Sequence, residues 1–95
     1  MALSQMHNPP HPGKVLREYL KDISTTTVAR HLRVSRVTLS RILNGASGIS
    51  ADMSLRLSEA LGTHPSFWYE MQASYDMGQA RKKKRTKIER FNAAA

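Results

Sequence analysis

Four arginines, Arg30, Arg33, Arg36 and Arg41, fall between Ser24 and Gly45, a stretch with no Asp or Glu. A guanidinium is a planar, always-charged fork of donors, suited to phosphate oxygens and to the O6/N7 edge of guanine. Val37, between two of these arginines, offers methyl groups to a thymine methyl. Ser35, Thr38 and Ser40 bring hydroxyls that reach base edges or phosphates. Thr26 and Thr27 open the preceding segment, where backbone N–H groups at a helix start favour anions. The expected chemistry is non-covalent recognition of nucleic acid by Thr26, Thr27, Ser35, Arg36, Val37, Thr38, Ser40 and Arg41.

The apolar spacing says what must hold these side chains in place. Val28, Ala29, Leu32, Val34, Leu39 and Ile42 fit two short helices, Thr25 to Leu32 and Arg36 to Leu43, joined by a bend at Arg33 to Ser35. Ala29 supplies the small side chain that a close helix crossing needs. Ser24 and Ser35 are good N-caps, and Asn44-Gly45 is a good helix stop. With one face buried, the second helix leaves Arg36, Val37, Ser40 and Arg41 outward. This is the layout of a helix-turn-helix, whose second helix lies in the DNA major groove.

The remaining chain predicts an all-α, five-helix domain. Pro12 opens the first helix with His11 as its N-cap, and Val15, Leu16, Tyr19, Leu20 and Ile23 form its apolar stripe to about Lys21. Ser50 caps a fourth helix to about Leu61, with Met53, Leu57, Ala60 and Leu61 buried and Gly62 closing it. Ile49 tucks against the core. Pro65 opens a fifth helix to Met77, ended near Gly78, with Phe67, Trp68, Met71, Ser74 and Tyr75 sealing the core. Residues 1–10 read as a loose lead, 11–80 as the folded domain and 81–95 as a basic tail.

The 95 residues carry a formal charge of +8. Residues 81–90 hold seven basic side chains and one acidic; residues 1–80 are near balance. Such a field favours polyanions, chiefly nucleic acid. The tail is expected either to be solvated or to add phosphate contacts through Lys82, Lys83, Lys84 and Arg85. No cysteine is present, so disulfides and thiolate metal sites are excluded. No run nears the roughly 20 apolar residues of a membrane span, and the start lacks the features of a signal peptide. A cytoplasmic protein without a membrane partner is expected.

Enzyme chemistry finds little support. His7 and His11 are four apart, but Asn8-Pro9-Pro10 prevents a helix from aligning them. His31 and His64 pair with no Cys or acid at metal-ligand spacing, and Gly45 and Gly48 form no phosphate loop. No catalytic residue, metal or cofactor is expected.

The runs HPGKVLREYL (11–20), LRVSRVTLSRILNG (32–45) and GISADMSLRLSEALGTHPSFWYEMQ (48–72) resemble the HigA-type antitoxins, within the larger Cro/C1-type (XRE) helix-turn-helix group of lambda-repressor-like domains. The resemblance covers about residues 11 to 75. It implies a dimer that binds a palindromic operator, represses its own operon and holds a cognate messenger-RNA endonuclease toxin inactive. A stand-alone repressor without a toxin is the alternative. An interaction module that scaffolds protein contacts or grips RNA is a more distant one. Arg33 departs from the family's usual Gly at the bend, Lys14 stands where an acid is common, and the link from Leu20 to Ser24 is short.

Overall fold

A computed structural model describes residues 8–92; His7 and the rest of the expected N-terminal lead before Asn8 lie outside it, as do residues 93–95 of the tail. Five helices follow in order: α1 (Pro12–Leu20), α2 (Thr25–Leu32), α3 (Arg36–Leu43), α4 (Ala51–Leu61) and α5 (Phe67–Lys82). No strand occurs among the described residues. Each of the first four helices starts at an N-cap whose side chain accepts a backbone N–H: His11, Ser24, Ser35 and Ser50. These bonds satisfy amides that a helix start would otherwise leave without a partner. The caps therefore set the starts of both helix-turn-helix helices.

The core gathers one face of every helix. Leu16, Leu39, Leu57 and Trp68 are almost wholly buried, each from a different helix, with Ala29, Ile42, Ile49 and Met71 around them. Full burial of a side chain of this size contributes about 1.5–3 kcal/mol. Trp68 meets Phe67 and Tyr19 edge-on, at ring-centroid distances of 5.0 and 5.2 Å, and its Nε1 donates to Thr63 Oγ1 at 3.1 Å. The indole is thus buried without an unsatisfied donor.

Several sequence expectations are corrected. Ala60 is exposed in an open cleft between α4 and α2, and Ile23 is half exposed, because the α1–α2 link turns back at the Leu20 carbonyl before that side chain reaches the core. Tyr19 is likewise half exposed, resting on Trp68 by its edge. Helix α5 begins at Phe67 rather than Pro65. Ser54 Oγ donates to the Pro65 carbonyl at 2.8 Å, Ser58 Oγ donates to the His64 carbonyl at 2.7 Å, and the Tyr69 N–H turns to Ser54 Oγ at 3.1 Å. The buried serines of α4 thus take the carbonyls that an earlier helix start would need. Helix α5 also runs past Met77 to Lys82, with Gly78 buried inside it. A Cβ on Gly78 would stand 3.0 Å from Pro9 Cδ, so glycine lets Pro9 pack on the helix instead of ending it. Pro9 is accordingly buried rather than part of a loose lead.

Candidate nucleic-acid interface

The α2–α3 bend is built on one strained residue. Arg33 adopts φ 60°, ψ 43°, the left-handed conformation usually left to glycine. Its N–H donates to the Arg30 carbonyl at 3.1 Å, and the Val34 N–H donates to the Ala29 carbonyl at 3.0 Å. Together these bonds close α2 in a Schellman turn. The conformation costs about 1–2 kcal/mol for a residue with a Cβ. Arg56 of α4 braces the turn from behind. Its Nη1 donates to the carbonyls of Leu32 (2.8 Å) and Arg33 (3.3 Å), while its Nε pairs with Asp52 at 2.8 Å. A cation also belongs there on dipole grounds, since this is a helix C-terminus.

The two helix starts repeat one device. Ser24 Oγ accepts the Thr27 N–H at 3.2 Å and donates to Thr27 Oγ1 at 2.8 Å. Ser35 Oγ accepts the Thr38 N–H at 3.0 Å and donates to Thr38 Oγ1 at 2.8 Å. In both pairs the serine proton is spent on the threonine oxygen. The threonine hydroxyl therefore keeps its own proton to donate elsewhere. Ser35 is first of all a cap; Thr27 and Thr38 combine a cap contact with an outward donor.

Helix α3 buries Leu39, Ile42 and Leu43. At 100° per residue, Val37 and Arg41 lie on the opposite crest, flanked by Ser40 and Thr38, while Arg36 stands at the exposed first position of the helix in the row of Leu39 and Leu43. Val37 is 69% exposed, Arg36, Thr38 and Arg41 are exposed, and Ser40 is half buried. Thr26, Thr27 and Ser35 are exposed beside them. Val37, 69% exposed amid basic side chains, keeps most of its apolar surface in water.

The far end of α3 is fixed from α1. A Cβ at Gly13 would stand 2.0 Å from the Ile42 carbonyl oxygen, so α1 approaches α3 as closely as glycine permits. Arg17 Nε donates to the Leu43 carbonyl at 3.0 Å, and its Nη2 donates to Asn44 Oδ1. His11, buried beside this contact, accepts the Gly13 N–H on Nδ1 at 2.9 Å and meets Tyr75 edge-on at 4.8 Å. Burial lowers its pKa and nearby Lys14 lowers it too, against opposing pulls from Asp76 and the Ser47 backbone. Arg17 and Arg56 were not singled out in the sequence. Both are polar residues on amphipathic helices, and only folding brings them to carbonyls more than twenty residues away.

Of the four tail residues, Lys82 is the last residue of α5 and its Nζ meets Asn8 Oδ1. Lys83, Lys84 and Arg85 are exposed on extended chain beyond it. Among the described residues no group of three His, Cys, Asp or Glu side chains could hold a metal ion, and no helix is long and apolar enough to cross a membrane.

A braced α2–α3 pair with an exposed, acid-free face on its second helix defines a helix-turn-helix DNA-binding protein. The helix-turn-helix family model (HTH_3) matches residues 14–68. A HigA-family addiction-module antidote protein from Coxiella burnetii is 41% identical, with TM-score 0.76, over 79% of this chain and 85% of that one. The Pseudomonas aeruginosa antitoxin HigA, solved with the higBA promoter, is 42% identical, with TM-score 0.74, over 77% and 83%. Virulence-associated protein A' of Dichelobacter nodosus is 45% identical over 83% of this chain and 71% of its own length. The chain belongs to the helix-turn-helix family and, within it, to the HigA-type antitoxins.

Proposed function

We propose that this protein is the antitoxin of a two-gene toxin–antitoxin module. It binds a palindromic operator as a homodimer, represses its own operon, and holds a cognate messenger-RNA endonuclease inactive. It works in the cytoplasm by binding rather than by catalysis. The observation that carries the DNA half is the outward face of α3, opposite the buried Leu39 and Ile42 and without an acidic residue between Ser24 and Gly45. The likeness to an antitoxin solved with its promoter supports the same reading. The toxin half rests on membership of the antitoxin group.

In this reading Arg36 and Arg41 each pair with guanine O6 and N7, and Val37 meets a thymine methyl. Ser40 reaches a base edge. Thr26, Thr27 and Thr38 hold phosphates at the two helix starts, with Ser35 as the cap that orients Thr38 rather than a phosphate donor of its own. Lys82, Lys83, Lys84 and Arg85 add phosphate contacts outside the groove.

The test is a fluorescence-anisotropy titration with the DNA upstream of the gene. Arg41→Ala should weaken specific binding by about 1–3 kcal/mol, roughly 5- to 160-fold, and flatten preference at one base position. Its thermal midpoint should not move, because Arg41 is exposed. Unchanged affinity and preference would remove Arg41 from the interface. Deleting residues 84–95 should shallow the salt dependence by about 0.9 log units for every phosphate the tail neutralises. Co-purification with the product of the neighbouring gene tests the toxin half. A chain that binds operator but captures no neighbour product is a stand-alone repressor.

A further inference from the structure

The chain beyond α5 carries a three-residue pattern. Lys83 ends the helix at φ −78°, ψ 148°, the polyproline II conformation, and residues 84–92 form neither helix nor strand. A polyproline II segment turns once every three residues, so side chains three apart share a side. On that period Lys84, Lys87 and Arg90 make one wholly basic row. Arg85, Ile88 and Phe91 make a second, basic at its start and apolar after it. Glu89, the one acid of the tail, falls on the third side with Lys83 and Thr86. Ile88 is 78% exposed and Phe91 95%, more than any other large apolar side chain among the described residues. A tail that only stays in solution has no use for these two side chains, and contacts to phosphate oxygens use neither.

The root of the tail lies at the far end of α3. Lys82 Nζ meets Asn8 Oδ1, and Pro9 packs on Gly78. His11, three residues past Asn8, meets Tyr75 of α5, and a Cβ at Gly45, two residues past α3, would stand 3.8 Å from the His11 ring. A helix laid in the major groove has a phosphate strand beyond its end, and past that strand the minor groove opens. Lys82 to Arg85 meet that strand in the operator reading, and the residues after them reach past it. At about 3.1 Å per residue, Arg85 to Phe91 spans about 19 Å. Such a segment is thin enough for a groove about 6 Å wide, which a helix is not. The minor groove is most negative where it is narrow, over A·T runs, and there it draws Arg and Lys. Its walls are sugar C–H groups, on which apolar side chains leave water.

We propose that residues 86–91 form an arm that lies in the minor groove beside the operator half-site. Lys87 and Arg90 point to the groove floor, and Ile88 and Phe91 pack on its sugar walls. The arm gives the protein a preference for A·T pairs outside the sequence that α3 reads. It rests on the operator reading above and adds a second place at which base pairs are told apart.

Anisotropy titrations of the full chain test this on three probes that share one operator core and differ only in the flanking pairs: A·T, G·C or inosine·C. Inosine·C keeps the major-groove edge of G·C but lacks the N2 amino group in the minor groove, so there it looks like A·T. The full chain should bind the A·T and inosine·C flanks alike, both at least about fivefold more tightly than the G·C flanks. Deleting residues 86–95, which leaves Lys82 to Arg85 in place, should abolish that preference, and Arg90→Ala with Phe91→Ala should reduce it. Residues 86–92 lie exposed beyond the last helix, so the melting midpoint should not move. Equal affinity for the three flanks, or inosine·C flanks that bind as G·C does, overturns the arm and leaves the operator reading standing. So does a deletion that keeps the flank preference, or one that leaves DNA binding whole and releases the neighbouring gene's product, which makes the tail a protein-binding segment. A full chain that binds none of the probes overturns both readings.

Discussion

Two pairs of arginines surround the helix-turn-helix and are used in opposite ways. Arg17 and Arg56 reach in from α1 and α4 and donate to the backbone carbonyls that end α3 and α2. Arg36 and Arg41 stand on α3 itself, and both are exposed. The first pair fixes where the reading helix sits, and the second is what that helix presents. The difference is one of position relative to helix ends: a carbonyl at a C-terminus lacks its intrahelical donor, and a nearby cation fills that need. Arg36, the first residue of α3, and Arg41, in its last turn, are exposed instead, so their charge stays available to a ligand.

The contrast can be broken most sharply at Gly13. Gly13→Ala places a methyl 2.0 Å from the Ile42 carbonyl oxygen and must push α1 off the end of α3. A loss of about 3 kcal/mol or more in urea unfolding is expected, with operator binding falling in step, because both effects come from displacing α3. Retained stability would show that the α1–α3 contact does not position the reading helix. Arg56→Ala should cost about 1 kcal/mol, since it takes a partly exposed charged donor from two carbonyls and leaves Asp52 unpaired. It should also weaken DNA binding slightly through the bend. Arg41→Ala should do the reverse, weakening binding with no loss of stability. A double-mutant cycle between the two should be near additive.

A smaller effect belongs to His11. Its pKa is lowered in the fold by burial, from the ordinary 6.5. The unfolded chain therefore binds a proton more readily than the folded one, and stability must fall as pH drops below about 6.5. Protonation also removes the Nδ1 lone pair that accepts the Gly13 N–H. Unfolding curves between about pH 5 and 8 should show this slope. His11→Asn, which keeps a capping acceptor without a titration, should flatten it. The smallest change expected is a gain. Arg33→Gly relieves the left-handed backbone while loosening the unfolded chain, for a net stabilisation of roughly 0.5–1 kcal/mol. A loss there would mean that the Arg33 side chain contributes a contact of its own.

The helix-turn-helix was legible because its signals are local. The serine caps, the small Ala29 and the apolar spacing of Val28, Leu32, Leu39 and Ile42 place α2 and α3 at the residues expected from sequence. Helix α5 was misjudged for the opposite reason. Pro65 and Gly78 are ordinary start and stop signals, and both were overridden by groups distant in sequence. The hydroxyls of Ser54 and Ser58 claimed the carbonyls before the helix, and Pro9 settled on Gly78 within it. Ala60 was assigned to the core by its spacing on α4. Spacing gives the side of a helix but not how far the neighbouring helices extend to cover it.

Sequence alone determined the helix order, the pair that forms the DNA-reading unit, the residues on its outward face and the family. The first three follow from caps, periodicity and charge within a few turns of chain, and the family follows from the resemblance carried by the runs 11–20, 32–45 and 48–72. Tertiary structure alone decided that Arg17 and Arg56 are supports, that Arg33 holds a left-handed turn, and that Pro9 and the serines of α4 set the bounds of α5. Each of these depends on a backbone group or a surface brought near by folding, and one-dimensional spacing carries no record of which distant groups will meet.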